Sequence, residues 1–390
     1  MEILIFFAVV AWIMMGIFDK DKPSTDNYFG PPQFKFVDEH NKELNLLVKN
    51  IMFRGKIPVQ NSTDLSFAIS ILERAPNDEF KPVISMYNGT QETETTSFSQ
   101  TGELGKVNEG SSFVSWVKLG VIIPSFLQAS HSGNRDLVMV ARFFDKTNPP
   151  SITAGFKLLN NDLILSSELD FSHNFTEKGY EEETADREKS QVIALKFGVA
   201  VAMADGTLDD AEGEVLKKWI LKQVKPFSET RQTRLKTMFN NALKEGFSDA
   251  KKGKLLLSDL TKRLNSINEK KSQYAAIELC LDVMAADGVA DPEELLTIRK
   301  IAESLNLDMD EVEKMREKVT LNLSTELTSD EGMEQLFGID DAWSKEKKQK
   351  HLRKEFQKWN NRLSSLPEGD ERQSAQSMLD NIAKLRKKYG

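Results

Sequence analysis

Six acidic side chains, repeated with the same spacing in two places, carry the clearest chemical signal in this sequence. The stretch MADGTLDD at 203–210 returns as AADGVADP at 285–292. Carboxylate oxygens are hard ligands that suit Ca²⁺ or Mg²⁺ better than a soft metal. If the two stretches meet in space, the sequence predicts one divalent-metal site built from Asp205, Asp209, Glu212, Asp287, Asp291 and Glu294.

The same stretches also have a purely structural interpretation, in which each one ends a helix and begins the next. Gly206 and Gly288 can adopt the positive φ that closes a helix. Asp209 and Asp291 stand where an N-cap is expected, and Pro292 suits the first helical position. In this interpretation the repeated acids only cap helices and allow them to pack.

Asp205 and Asp287 do not fit the capping interpretation, because a carboxylate at a helix C-terminus faces the negative end of the helix dipole. Each needs a hydrogen bond, a basic side chain or a cation nearby. An EF-hand also places Asp and Gly between two helices, but its D-x-D-x-D-G spacing and its Glu at position twelve are absent. Metal binding and capping both stay open.

The two acidic stretches lie inside a longer internal repeat. Ala194–Lys218 and Ala276–Lys300 align without a gap, and each places its acidic turn between two apolar helical patterns. The sequence therefore predicts a duplicated helix–turn–helix unit within an all-helical region at 188–325.

The doubled A-D-G-x-x-D-x-x-E turn in an all-helical region resembles the tellurite-resistance TerB-like domain. The resemblance implies a compact bundle of two similar helical halves with acidic turns. It also implies a divalent-metal role and attachment to membrane-linked stress and defence systems.

Composition limits the classes of function. The chain has 390 residues with 52 basic and 60 acidic side chains and a formal charge of −8, which argues against nucleic acid as a partner. One cysteine, Cys280, and four histidines argue against a zinc site of the Cys/His kind. The sequence shows no nucleophile–base pair and no phosphate-binding loop. We therefore expect no enzymatic activity, no catalytic residues, and no cofactor other than Ca²⁺ or Mg²⁺.

The first eighteen residues, MEILIFFAVVAWIMMGIF, are apolar apart from one glutamate. A cleavable signal peptide is the alternative, but it would have a basic start and a small-residue cleavage site. The expectation is therefore a retained single-pass transmembrane anchor at 1–18 in the inner membrane. Because the nearby lysines all follow the run, the body of the chain is expected in the cytoplasm.

The middle of the chain, residues 34–172, predicts a β-sandwich. Short segments rich in β-branched and aromatic residues alternate there with clusters of Gly, Pro, Asn and Ser. Polar segments at 19–33 and 173–187 predict linkers on either side of it.

The C-terminal segment 330–390 predicts a long basic helix that runs to about Trp359, then a loop and a closing helix. This pattern resembles a J domain, whose basic second helix engages an Hsp70 chaperone. The His-Pro-Asp motif of that family is replaced by Asn360-Asn361-Arg362, which puts co-chaperone activity in doubt. The alternative is a helical hairpin packed on the TerB-like bundle.

The predicted fold class is multidomain, with an N-terminal transmembrane helix, a β-sandwich, an all-α TerB-like bundle and a C-terminal J-like helical module. The leading functional hypothesis is a membrane-tethered, non-enzymatic scaffold in a bacterial stress-response or anti-phage defence complex. Its partners would be membrane-associated proteins, and homo-oligomers are a further form of assembly. The alternative function is a chaperone adaptor that binds an Hsp70 through the J-like module without stimulating its ATPase.

Overall fold

The computed structural model divides into two compact units between Thr184 and Ala185. The first unit is β-rich and the second is α-helical. The structure describes residues 28–41, 45–76, 79–92, 95–153, 157–158, 163–204, 206–288, 291–320, 330–340, 342–366 and 369–390.

Antiparallel strands build the first unit. One sheet has the order β1-β2-β7, and a larger sheet has the order β12-β9-β3-β4 with β6 also paired to β3. The pairs β5–β8 and β10–β11 form two small sheets. The strands are β1 Gln33–Asn41, β2 Leu46–Lys56, β3 Thr63–Arg74, β4 Phe80–Pro82, β5 Ile84–Ser85, β6 Ser99–Val107, β7 Ser112–Ile122, β8 Leu127–Gln128, β9 Gly133–Asp145, β10 Ile152–Thr153, β11 Lys157–Leu158 and β12 Leu165–Phe175.

The two larger sheets share one hydrophobic core. Partly buried and exposed residues alternate along β12, the period of a strand with one face on a core and the other in water. Phe53 of β2 and Phe143 of β9 are fully buried, and their ring centroids are 5.2 Å apart. Aromatic contacts of this kind add to the stabilisation that buried apolar area provides. The aromatic residues of the sequence therefore join the two sheets.

Ten α-helices are present in the described residues, and the first begins just before the boundary between the units. The helices are α1 Tyr180–Ala202, α2 Asp210–Val224, α3 Glu229–Lys251, α4 Leu257–Ile267, α5 Lys270–Met284, α6 Pro292–Ser304, α7 Met309–Thr320, α8 Asp330–Leu336, α9 Lys345–Ser365 and α10 Asp370–Lys388.

Helix α5 is the central helix of the second unit and packs against α2, α6 and α7. Its apolar side chains are buried on most of its circumference, including Cys280. At the equivalent position of the internal repeat, α1 carries Gly198. A Cβ atom there would lie 2.8 Å from Cδ2 of Leu216, so a larger residue at this position would require the Leu216 side chain to move.

The C-terminal helices α9 and α10 pack against each other and complete the core of the helical unit. Leu352, Trp359, Met378 and Ile382 belong to the same buried cluster as the apolar residues of α1, α5 and α6. The C-terminal segment is therefore a helical hairpin packed on the bundle, as one of the two sequence interpretations predicted.

Helix α9 is longer than the sequence pattern indicated, since it ends at Ser365 instead of near Trp359. Asn360, Asn361 and Arg362, which stand in place of the J-domain motif, are therefore helical rather than part of a loop. A tertiary contact accounts for the extension, because Arg362 donates a hydrogen bond of 3.3 Å to Glu317 of α7.

The predicted transmembrane helix and the predicted inner-membrane location are wrong. Among the described residues, no helix is long and apolar enough to cross a membrane. The four longest of these helices, α1, α3, α9 and α10, all carry many charged side chains, which are costly in hydrocarbon. What the structure supports is a β-rich N-terminal domain followed by an α-helical C-terminal region. Segment 1–18, on which the prediction rested, lies outside the described residues.

Candidate functional site

Each acidic turn ends one helix with a glycine in the left-handed region. Gly206 has φ of 92° and Gly288 has φ of 85°. The N–H of Gly206 donates to the carbonyl of Met203, and that of Gly288 donates to the carbonyl of Ala285. A side chain at either glycine would be strained by this conformation, so the two turns have the same local requirement.

The first acidic turn then starts α2 with a capping box. The carboxylate of Asp209 accepts a hydrogen bond of 2.7 Å from the N–H of Ala211. In return, the N–H of Asp209 donates to the carboxylate of Glu212 at 2.8 Å. Such a cap stabilises a helix by roughly 0.5–2 kcal/mol.

The second acidic turn starts α6 in a similar way. The carboxylate of Asp291 accepts hydrogen bonds from the N–H groups of Glu293 at 2.8 Å and Glu294 at 3.3 Å. Pro292 occupies the first helical position, where no intrahelical N–H is needed. The predicted capping roles of Asp209 and Asp291 are therefore confirmed.

Glu212 and Glu294, the equivalent glutamates of the two halves, meet in the interior of the helical unit. Both are 7% exposed, and their side chains share a hydrogen bond. Burial raises the pKa of Glu294 to about 9, with further contributions from the hydrogen bond and charge of Glu212 and from the charges of Asp291 and Asp287. Because two buried carboxylates this close cannot both ionise cheaply, the pair retains a proton at neutral pH.

A cavity of about 670 Å³ lies beside the second turn, and its charged lining residues are three acids and one lysine. Asp287 lines it together with Glu278, Asp282 and Lys318. Burial and the charge of Glu278 raise the pKa of Asp282, and the charges of Lys222 and Lys318 oppose this shift. Glu278 and Asp282 were not predicted from the sequence, although their spacing of four residues on α5 puts them on one face of the helix.

Four of the six predicted ligands therefore interact electrostatically. Glu212 contacts Glu294, and the charges of Asp287 and Asp291 raise the pKa of Glu294 further. These donors are all carboxylate oxygens, which fit a hard cation such as Ca²⁺ or Mg²⁺. A cation would neutralise the pair in place of its proton. The donor chemistry suits the predicted metal, but no three of the four described side chains Glu212, Asp287, Asp291 and Glu294 bring ligand oxygens within 4.8 Å of one another. The metal assignment therefore stays a prediction.

The remaining two predicted ligands are placed differently. The carboxylate of Asp209 accepts hydrogen bonds from backbone N–H groups in the first turn of α2 and is thereby committed to its cap. Asp205 lies outside the described residues.

Residues 199–317 match the family model described as "Tellurite resistance protein TerB". The match supports the TerB-like interpretation of the doubled turn and spans both acidic turns and the buried glutamate pair. No curated protein and no solved structure matches the chain.

Proposed function

We propose that this chain is a non-enzymatic interaction protein, a scaffold in a bacterial stress-response or anti-phage defence complex. The TerB domain at 199–317 supports the link to stress and defence. The observation that carries the proposal is the meeting of Glu212 and Glu294 at the junction of two similar helical halves. Each of the two acids belongs to one helical half of the repeat. A change in the charge of the pair therefore affects the contact between the halves, and such a contact is suited to control a binding surface.

A divalent cation is the expected ligand of the Glu212–Glu294 pair, and its binding would control the binding surface of the helical unit. Glu212 and Glu294 would hold Ca²⁺ or Mg²⁺, and the nearby charges of Asp287 and Asp291 would favour its binding. When bound, the cation supplies positive charge to a buried acidic pair and takes the place of the proton. Cation affinity should therefore increase with pH, as it does wherever a ligand must first lose a proton.

The β-rich unit provides a second docking surface in this proposal. The guanidinium of Arg54 lies 4.4 Å from the ring of Tyr28 and 4.5 Å from that of Trp116. The ammonium of Lys35 lies 4.2 Å from the same Trp116 ring. Tyrosine, tryptophan and arginine are enriched at protein interfaces, so this surface suits a protein partner, including a second copy of the chain.

The proposal is tested by capturing partners with the tagged full-length chain from its native bacterial host, in Ca²⁺ or in EDTA. We expect proteins of one complex to be enriched in Ca²⁺ and reduced by at least about tenfold in EDTA, which corresponds to about 1.4 kcal/mol. The E212Q/E294Q variant should lose the same proteins in both buffers. E214Q, which removes an exposed acid from the same helix, is the matched control. Equal capture by the wild type and E212Q/E294Q would refute a role for the pair, and capture of nothing would refute the scaffold.

The second candidate function is an Hsp70 adaptor. The observation in its favour is the row of exposed lysines on α9, a feature of the chaperone-binding helix of J domains. These lysines are Lys345, Lys347, Lys350 and Lys354.

For this candidate we expect binding without stimulation of the chaperone. Asn360-Asn361-Arg362 replace His-Pro-Asp and lie within a helix, so the motif that stimulates ATP hydrolysis in J domains is missing at its expected position. The full-length chain at micromolar concentration should leave the ATPase rate of the host Hsp70 unchanged. A J-domain protein from the same host is the positive control. A rate increase comparable to that control would show that the C-terminal hairpin acts in another way.

A further inference from the structure

A second group of acids lies away from the doubled turn, where the C-terminal hairpin meets the TerB domain. Glu313 and Glu317 are one helical turn apart on α7, and Glu355 faces them from α9. Each offers a carboxylate oxygen that is within 4.8 Å of the other two. The side chains of Glu317 and Glu355 are 6% and 8% exposed, and Glu313 is paired with Arg316 at the rim.

A cationic side chain already reaches into this cluster. The ammonium of Lys358 contacts Glu317 and lies 3.5 Å from Glu355, and Arg362 lies 3.3 Å from Glu317. Burial lowers the pKa of Lys358, but its hydrogen bond with Glu317 and the charges of the three acids outweigh burial and raise it. The side chain of Lys358 is 38% exposed, so its ammonium can leave for solvent without unfolding the helix.

One buried oxygen of the cluster has no donor. Oε2 of Glu355 receives no hydrogen bond from any residue that the structure describes. Glu355 also lines a cavity of about 570 Å³, together with Glu313, Lys358 and apolar residues such as Leu295 and Val312. A buried carboxylate oxygen that accepts no hydrogen bond is costly, and a cation bound among the three carboxylates would remove that cost.

We propose that Glu313, Glu317 and Glu355 form a divalent-cation site in which the cation displaces the ammonium of Lys358. Ca²⁺ binds oxygen at about 2.3–2.6 Å, so two ligands on opposite sides of the ion are about 4.8 Å apart. The separation of the three carboxylate oxygens is within this span. The site does not depend on the acidic turns, because it shares no residue with them.

A cation at this site would link the TerB domain to the C-terminal hairpin. Glu313 and Glu317 belong to the TerB match at 199–317, and Glu355 belongs to the C-terminal hairpin. A cation bound to all three therefore fastens α9 to α7. A cation-free chain relies for the same contact on Lys358 and Arg362.

The test is calorimetric titration of Ca²⁺ into the full-length chain carrying E212Q and E294Q, which remove the acidic pair of the turns. In this background we expect Ca²⁺ to bind. Lys358→Met should bind it at least about tenfold tighter, because the competing ammonium is gone. Lys354→Met, which removes an exposed lysine one turn earlier on α9, is the matched control and should bind as the background does.

Glu355→Gln and Glu313→Gln should each weaken binding by at least about tenfold, since each removes a charged ligand. Circular dichroism verifies that the helices are retained, and Glu313 at the rim is the variant less disturbing to the fold. Equal affinity in the Lys358→Met and Lys354→Met variants would overturn the proposal, as would undiminished binding in both glutamine variants. Neither result tests the proposed role of Glu212 and Glu294, because both are replaced by glutamine in every protein of this experiment.

Discussion

Replacing Trp359 with alanine is expected to destabilise the helical unit by about 3–5 kcal/mol, the range for a large aromatic residue removed from a core. Trp359 is 2% exposed and belongs to the same buried cluster as the apolar residues of α1, α5 and α6. The substitution therefore leaves a cavity between the hairpin and the bundle rather than on a surface. Urea unfolding followed by circular dichroism at 222 nm measures the change in the free energy of unfolding.

Leu221→Ala is the control for this experiment, because Leu221 is 49% exposed on α2 and its loss should change stability by less than about 0.5 kcal/mol. Limited proteolysis provides a second measurement, since a loosened hairpin should be cut within α9 before the rest of the unit. A loss of stability below about 1 kcal/mol for Trp359→Ala would mean that the hairpin is not part of the core. It would then be free to act as an independent J-like module.

Replacing Glu294 with glutamine is expected to remove most of the pH dependence of stability between pH 5 and pH 9. The pKa of Glu294 is raised in the folded chain to about 9 from an ordinary value of 4.5, so the folded state binds more protons than the unfolded state in this interval. The free energy of unfolding of the wild type should therefore decrease as pH rises from about 4.5 towards 9, by on the order of a few kcal/mol. Glutamine cannot ionise, and its amide can donate to Glu212. The variant should thus be close to the wild type at pH 5 and more stable at pH 9.

The matched control is Glu293→Gln, which removes an exposed acid from the adjacent position in the first turn of α6. It should cost less than about 1 kcal/mol through the helix dipole and leave the pH dependence unchanged. Urea unfolding of the wild type and the two variants at pH 5, 7 and 9, in EDTA to exclude divalent cations, gives the comparison. If the wild type and Glu294→Gln lose stability in parallel as pH rises, the buried pair does not hold a proton at neutral pH.

The caps of the two acidic turns could be predicted from the sequence, and those at Asp209 and Asp291 are confirmed. An N-cap makes hydrogen bonds to N–H groups two or three residues further along the chain, so the local sequence is nearly enough to predict it. The TerB resemblance rests on the same local motif, and the family match at 199–317 supports it. Of the six predicted metal ligands, Glu212 and Glu294 meet in the structure, and metal binding by the six stays a prediction.

The end of α9 could not be predicted from the helical pattern. The pattern indicated an end near Trp359, because the apolar stripe stops there, but the helix continues to Ser365. Its last turn is held by Arg362, whose partner Glu317 is on a different helix. The predicted transmembrane helix was inferred from the composition of one apolar run, and it was wrong, since no described helix is long and apolar enough to cross a membrane.

The sequence by itself determined the duplicated helix–turn–helix unit, its glycine turns and its N-caps, because these depend on neighbouring residues. The sequence grouped Glu212 and Glu294 in one predicted site, but only the tertiary structure decided that they meet, and it alone brought Glu317 and Glu355 together. Glu212 and Glu294 lie on different helices, as do Glu317 and Glu355, and each pair is brought together only when the helices pack. Burial and proximity set the proton and cation affinities of such pairs. Both are properties of the packed core, which no local pattern of residues encodes.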